Sequence, residues 1–308
     1  MSGKSDGLQA TFKSKDTEEW LDVVFTRRVG YALALFFKRF GVHPNAVTIL
    51  SIFLGVGAGL CWLDRSLGWT VAGIILLVLA NFLDSTDGQL ARMTGQKTLW
   101  GRLLDGLAGD AWFIAIYICL GFRLLHTPMP FLEDHEWRVW HLLVLEMTCG
   151  FLFHVPQAAL ADYYRNIYLL FHGDHSELND SRELDSEWKT LTWKNDWPWK
   201  TGLFFYKNYT RSQELMTPCF QSFRSALRAE YGDAIPQETG TEFCRRTYHL
   251  LKWTNILTFN TRAIVLYVTL LAGVPWVYFI FEMTVMQVIK AYMKHSHEKV
   301  CREMTAGI

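Results

Sequence analysis

NFLDSTDGQLARMTGQKTLWGRLLDGLAGD, Asn81 to Asp110, lies where one apolar run ends and the next begins. Both runs read as membrane spans. Four aspartates (Asp84, Asp87, Asp105 and Asp110) and an arginine (Arg92) are placed at this junction. A charged side chain inside a span is costly, so a cluster of them points to function, and its partners have to be named.

Moving outward from this stretch, the 308 residues carry 30 Lys+Arg against 30 Asp+Glu and are half hydrophobic. The apolar residues fall in blocks, while most of the charge lies in an N-terminal arm, a central insert and a tail. Blocks of about 20 apolar residues read as membrane helices, because lipid offers backbone amides no hydrogen-bond partner outside their own helix. Six spans are expected, near residues 47–63, 69–85, 99–125, 139–163, 250–272 and 275–292. The fold class is therefore an all-α polytopic membrane protein. The N-terminus has no apolar core after a basic start and does not read as a cleaved signal.

Residues 1–17 read as a disordered arm and 18–308 as one membrane domain. From Glu18, a mixture of Trp20, Val24, Phe25, Leu35 and Phe36 with Arg27, Arg28, Lys38 and Arg39 predicts an amphipathic helix at the membrane surface. Basic links and the Lys-rich tail share one side. The positive-inside rule makes that side cytoplasmic, with both termini and the acidic stretch on it. Residues 172–248 are charged and carry Trp188, Trp193, Trp197 and Trp199. They predict a cytoplasmic insert between the fourth and fifth spans that hugs the membrane. The spacing of Gly55 and Gly59 suits close helix packing.

If the second span continues as a helix past the membrane edge, about 100° per residue puts Asp84, Asp87, Gly88 and Ala91 on one face. Two carboxylates there can hold a hard cation, and the two small residues leave room for a ligand to approach. Arg92 at the rim suits a phosphate oxygen. Asp105, one turn into the third span, adds a ligand from a facing helix. Oxygen ligands without His or Cys favour Mg2+ or Mn2+ over zinc. The reaction class suggested is phosphoryl transfer on a lipid substrate.

D-S-T-D-G-Q-L-A-R, eight residues, then G-R-L-L-D resembles the motif of the CDP-alcohol phosphatidyltransferase family, D-x-x-D-G-x-x-A-R followed by G-x-x-x-D-x-x-x-D. The resemblance extends to the amphipathic N-terminal helix, the six spans and the P-N-A-V-T opening the first span. It implies a membrane enzyme that displaces CMP from a CDP-linked alcohol donor with an acceptor hydroxyl. It further implies that Asp84, Asp87 and Asp105 hold one or two divalent cations, and that Gly88 and Ala91 let the nucleotide pack closely. Arg92 would contact its phosphates, with Asn45 and Thr48 at its border. A homodimer is implied as well, and no nucleic-acid partner is expected.

The last aspartate departs from the pattern. The family position four residues past Asp105 holds Gly109, and the carboxylate comes one later as Asp110. On a regular helix that turns it about 140° from Asp105, against about 40° for a four-residue offset. A π-bulge, which two nearby glycines favour, would bring Asp110 back as general base and metal ligand. Arg165 and Arg262 are candidates for an acceptor phosphate or for bilayer-edge anchors. His154 reads as a packing residue, HGDH at 172–175 as a turn, and His295 and His297 as solvated. The six cysteines have no C-x-x-C spacing and read as idle thiols.

The function expected is phospholipid or sphingolipid synthesis with a CDP-diacylglycerol donor and a small polar alcohol acceptor. The alternative is a CDP-choline or CDP-ethanolamine phosphotransferase acting on diacylglycerol or ceramide, with the aromatic insert helping to hold a cationic headgroup. A non-catalytic scaffold or cation-coupled transporter is the alternative of another class. Against it, no charge pair is expected along the middle of the spans.

Overall fold

A computed structural model of the chain describes residues 17, 19–96, 98–130, 137–173, 178–232 and 234–308. The arm at 1–16, most of the acidic link at 131–136 and the second half of HGDH lie outside these residues. The described residues are overwhelmingly helical. They belong to two compact units, Met1–Leu152 with Arg262–Glu282, and Phe153–Thr261 with Met283–Ile308.

In the first unit a π-turn at Asp22–Thr26 leads into α1 (Arg27–Arg39). Gly41, at φ 66°, ends that segment, and His43 Nδ1 accepts the Asn45 amide at 3.2 Å to start α2 (Pro44–Cys61), with Pro44 in the first turn. Ser66 caps α3 (Leu67–Thr94), which ends on Gly95 at φ 68°. The Thr98 hydroxyl accepts the Gly101 amide at 2.9 Å and so starts α4 (Leu99–Leu125). Each start follows the same physics, a side-chain oxygen or ring nitrogen satisfying an N–H that the first helical turn leaves unpaired. The unit also contains α5 (Arg138–Met147), most of α12 (Phe259–Leu271) and α13 (Trp276–Phe281).

α2, α3 and α4 pack through missing side chains. A β-carbon at Gly55 would lie 2.1 Å from Trp112 Cδ1, and one at Gly59 would lie 3.1 Å from the Ala115 backbone. The small-residue spacing is thus a packing device, as its pattern predicts. Trp62 fills the space over Gly73, and its indole donates to the Thr70 carbonyl at 3.1 Å. Arg123 closes the same end of the bundle by donating to the Asp64 carbonyl at 2.9 Å and the Thr70 hydroxyl at 3.2 Å.

The π-turn and α1 keep the amphipathic character their sequence predicts, with Phe25 and Phe36 exposed, but α1 also packs on α3. Gly30 allows the approach, and Gln89 Nε2 donates to the Arg27 carbonyl at 3.2 Å. Ala34, Val47, Leu83 and Leu90 form the core beneath.

The second unit contains α6 (Val155–His172), α7 (Ser181–Thr190), α8 (Trp197–Met216), α9 (Pro218–Tyr231), α10 (Gln237–Thr247), α11 (Leu251–Ile256) and α14 (Gln287–Thr305). The insert helices α7 to α10 pack with its neighbours in sequence. Gln213 Nε2 donates to the Ala159 carbonyl at 2.9 Å, Gln221 Nε2 donates to the Tyr163 hydroxyl at 2.9 Å, and Phe171 stacks on Phe243 at 4.0 Å.

Five helical stretches among the described residues are long and apolar enough to cross a membrane: Pro44–Cys61, Leu67–Thr94, Leu103–Leu125, Arg138–His172 and Gln237–Leu271. Large apolar side chains such as Phe53, Ile75, Ile114 and Phe122 stand exposed along the first three, as lipid-facing side chains do. The fifth is interrupted, because α11 ends at Ile256 and α12 begins at Phe259. The sixth expected span is helical from Trp276, but it is not among the five. It carries Glu282 and soon runs into the Lys-rich tail, and both lower its hydropathy.

Candidate active site

α2 packs on both α3 and α4 through small residues, and carboxylates of α3 and α4 come together near the ends of those two helices. Asp84 and Asp87 stand three residues apart on α3, hence on neighbouring positions of one face. Together with Asp105 of α4 they offer oxygens that all lie within 4.8 Å of one another. Asp87 is buried, Asp84 half-buried and Asp105 exposed, so the cluster opens on the Asp105 side. Three carboxylates this close repel one another unless a cation is shared. Magnesium in octahedral geometry needs ligand oxygens about 3 to 4 Å apart, a spacing this cluster can meet.

The surroundings orient these groups. The Thr48 hydroxyl donates to Asp87 Oδ2 from α2. Thr48 is itself held by the start of its helix, where its hydroxyl lies 3.3 Å from the Pro44 carbonyl. Arg92 folds back along α3, and a β-carbon at Gly88 would lie 3.4 Å from its Nη1. The guanidinium therefore covers the position that lacks a side chain. Asn45 sits beside the first turn of α4, its Oδ1 3.5 Å from where a Gly101 β-carbon would be. On the other flank, the charges of Arg27 and Asp22 both act on Asp84.

Asp110 is not among the oxygens brought together. The π-bulge expected to carry it there is absent, since α4 is regular from Leu99 to Leu125, and π-turns occur instead at Asp22–Thr26, Thr148–His154 and Glu282–Met286. With no extra residue in the turn, Asp110 keeps its rotation of about 140° from Asp105 and stands exposed. A β-carbon at Gly109 would meet nothing within 4 Å.

Residues 41–161 match the CDP-alcohol phosphatidyltransferase family. This segment is similar to a CDP-alcohol phosphatidyltransferase domain. The archaetidylinositol phosphate synthase of Aeropyrum pernix is 33% identical over 81 residues, 26% of this chain and 40% of that protein. The phosphatidylinositol phosphate synthase of Streptomyces avermitilis is 36% identical over 81 residues, 26% of this chain and 32% of that protein. A ceramide phosphoethanolamine synthase of Drosophila melanogaster is 26% identical over 115 residues, 35% of this chain and 28% of that protein. The chain thus spans well under half the length of the curated relatives it matches. No solved structure matches it.

The matched segment contains Asp84, Asp87, Asp105, Gly88, Ala91, Arg92, Asn45 and Thr48. Elsewhere, several expectations change. Arg262 is fully buried and pairs with the equally buried Glu282, which also accepts the Tyr117 hydroxyl at 2.7 Å. It is therefore not a bilayer-edge anchor, and a charge pair does lie within the apolar helices. Glu282 stands in an otherwise apolar run, and an acid in such a run is itself the signal. Arg165 donates to Asn255 Oδ1 at 3.0 Å. His154 is buried, as expected of a packing residue.

His297 is not solvated. It is 3% exposed and stacks on Tyr164 at 3.8 Å between ring centroids, and burial pushes its imidazole down to about 3. In the insert, the Trp188 face is taken by Lys207 at 3.8 Å and Lys200 at 4.5 Å, while Trp193 and Trp197 stay exposed. All six cysteines are free thiols.

Proposed function

We propose that the protein transfers a phospho-alcohol group from a CDP-linked donor to an acceptor hydroxyl, releasing CMP, at the cytoplasmic membrane face. The observation that carries this reading is the gathering of Asp84, Asp87 and Asp105 within 4.8 Å, with the Arg92 guanidinium over Gly88 beside them. In this reading the three carboxylates hold Mg2+ or Mn2+. When bound, the cation neutralises the diphosphate and stabilises CMP as it leaves. Thr48 holds the Asp87 carboxylate in its orientation. Arg92 grips a phosphate oxygen, and the small faces of Gly88 and Ala91 admit the nucleotide, with Asn45 and Thr48 at its edge.

The proposed donor is CDP-diacylglycerol and the acceptor a small polar alcohol phosphate. The two inositol phosphate synthases among the relatives support it. A second reading, CDP-ethanolamine or CDP-choline with ceramide or diacylglycerol, is supported by the longer match to a ceramide phosphoethanolamine synthase. A scaffold or transporter loses one objection now that Arg262 and Glu282 form a pair in the apolar helices. That pair is sealed from solvent on both sides, however, which does not suit a cation path. Six spans with both termini cytoplasmic, a homodimer, and an insert that hugs the membrane complete the proposal.

The test is to incubate purified protein with magnesium, labelled CDP-diacylglycerol or CDP-ethanolamine, and a panel of acceptors. CMP with CDP-diacylglycerol and a polar alcohol phosphate is expected. CMP from CDP-ethanolamine with ceramide or diacylglycerol would move the assignment to the second reading. No CMP from any pair would overturn both.

A further inference from the structure

In the second unit, α14 presents His297, Glu298 and Cys301 on one turn, all buried, with exposures of 3%, 7% and 0%. One ligand atom from each lies within 4.8 Å of the others. An imidazole, a carboxylate and a thiol on adjacent positions of a helix are a poor way to fill an apolar core, because each polar atom there needs a partner. The neighbours are Tyr164, stacked on His297 at 3.8 Å, and the edges of Phe243 and Phe220 at 5.7 and 6.2 Å. Glu298 Oε2 accepts the Cys219 amide at 2.7 Å. Glu298 Oε1 is buried with no hydrogen-bond partner. A carboxylate oxygen left this way costs free energy that a bound cation removes.

The geometry points to a zinc site formed by His297, Glu298 and Cys301, independent of the aspartate cluster. The distances suit the ion. Zinc bound at about 2.3 Å from sulfur and about 2.05 Å from nitrogen at a tetrahedral angle sets the two ligands about 3.6 Å apart. Cys301 Sγ lies 3.6 Å from His297 Nδ1, a spacing that also makes a weak thiol–imidazole hydrogen bond. The mixed nitrogen, sulfur and oxygen set is one that zinc takes and that Mg2+ does not. Cys301 binds as the thiolate and gives up its proton to solvent when the ion enters. The ion would tie α14 to α9, whose Cys219 amide already holds Glu298, and so fix the C-terminal helix against the insert.

The experiment uses the untagged full chain, purified in detergent and dialysed against a mild chelator, with metal content measured by plasma mass spectrometry. About one zinc ion per chain is expected in the wild type, and its loss in His297→Gln and in Cys301→Ser. Asp84→Asn is expected to retain it, which separates this site from the proposed magnesium site. Cobalt exchanged into the wild type is expected to give a thiolate-to-cobalt charge-transfer band in the near ultraviolet. That spectrum decides the matter even where a variant fails to fold. No zinc in the wild type, zinc retained in both ligand variants, or cobalt binding without a sulfur band would each overturn the assignment.

Discussion

Thr48 and Asp87 stand 39 residues apart in the chain, on α2 and α3, and are joined by a hydrogen bond from the threonine hydroxyl to one carboxylate oxygen. The bond fixes the direction of the carboxylate. Outer partners of metal ligands typically set affinity by 10- to 100-fold. Thr48→Val, which keeps the shape and removes the donor, is expected to raise the magnesium concentration for half-maximal CMP release by roughly 10- to 100-fold. Thr48→Ser is expected to stay near wild type. Magnesium titration of turnover in the three proteins checks it, and an unchanged titration for Thr48→Val refutes the orienting role.

Asp110 offers a sharper contrast. A general base typically contributes about 10²- to 10⁴-fold to rate. With α4 regular and Asp110 turned away from Asp105, turnover of Asp110→Asn is expected to stay within a few-fold of wild type. Gly109→Asp has room for its β-carbon and returns a carboxylate to within about 40° of Asp105. It is expected to fold and to raise turnover. A loss of about 100-fold or more in Asp110→Asn would restore Asp110 as the base.

The packing of α2 on α4 depends on Gly55. Its β-carbon would overlap the Trp112 ring, so Gly55→Ala forces the indole or the helix to move. Overpacking of this kind costs about 1 to 3 kcal/mol. Thermal unfolding in detergent is expected to show the loss, while Gly57→Ala, where the nearest atom would be Leu76 Cδ1 at 3.6 Å, is expected to be mild.

Arg262 and Glu282 should behave as a buried pair. Removing one partner leaves the other charged and buried, a change that costs about 3 to 5 kcal/mol. Glu282→Gln is therefore expected to unfold earlier than wild type. The double change Arg262→Met/Glu282→Leu is expected to recover most of the difference. Failure of the double variant to recover would show that the pair does more than satisfy its own charges.

Much of this was legible in the sequence. Asp84 and Asp87 at helical spacing, and a third acid one turn into the next apolar run, predict the cluster because helix geometry is fixed and the link between the runs is short. The Gly55 and Gly59 spacing predicts close helix contact for the same reason. What could not be read depends on contacts distant in sequence. An amphipathic pattern in α1 says which face is apolar, not whether lipid or α3 covers it, and Gly30 against Gln89 decides for α3. His297 lies among lysines and reads as solvated, yet one side of α14 turns inward onto Tyr164. The shifted Asp110 was visible, but whether the helix bulges to absorb the shift is set by packing along all of α4.

The most direct measurement is magnesium-dependent CMP release by the wild type and by Asp84→Asn, Asp87→Asn and Asp105→Asn, each first shown to be folded. CMP should appear only with Mg2+ or Mn2+ present, stop on chelation, and be abolished in all three variants. Release that continues under chelation, or that survives the removal of any two of these carboxylates, would contradict a shared cation site between α3 and α4.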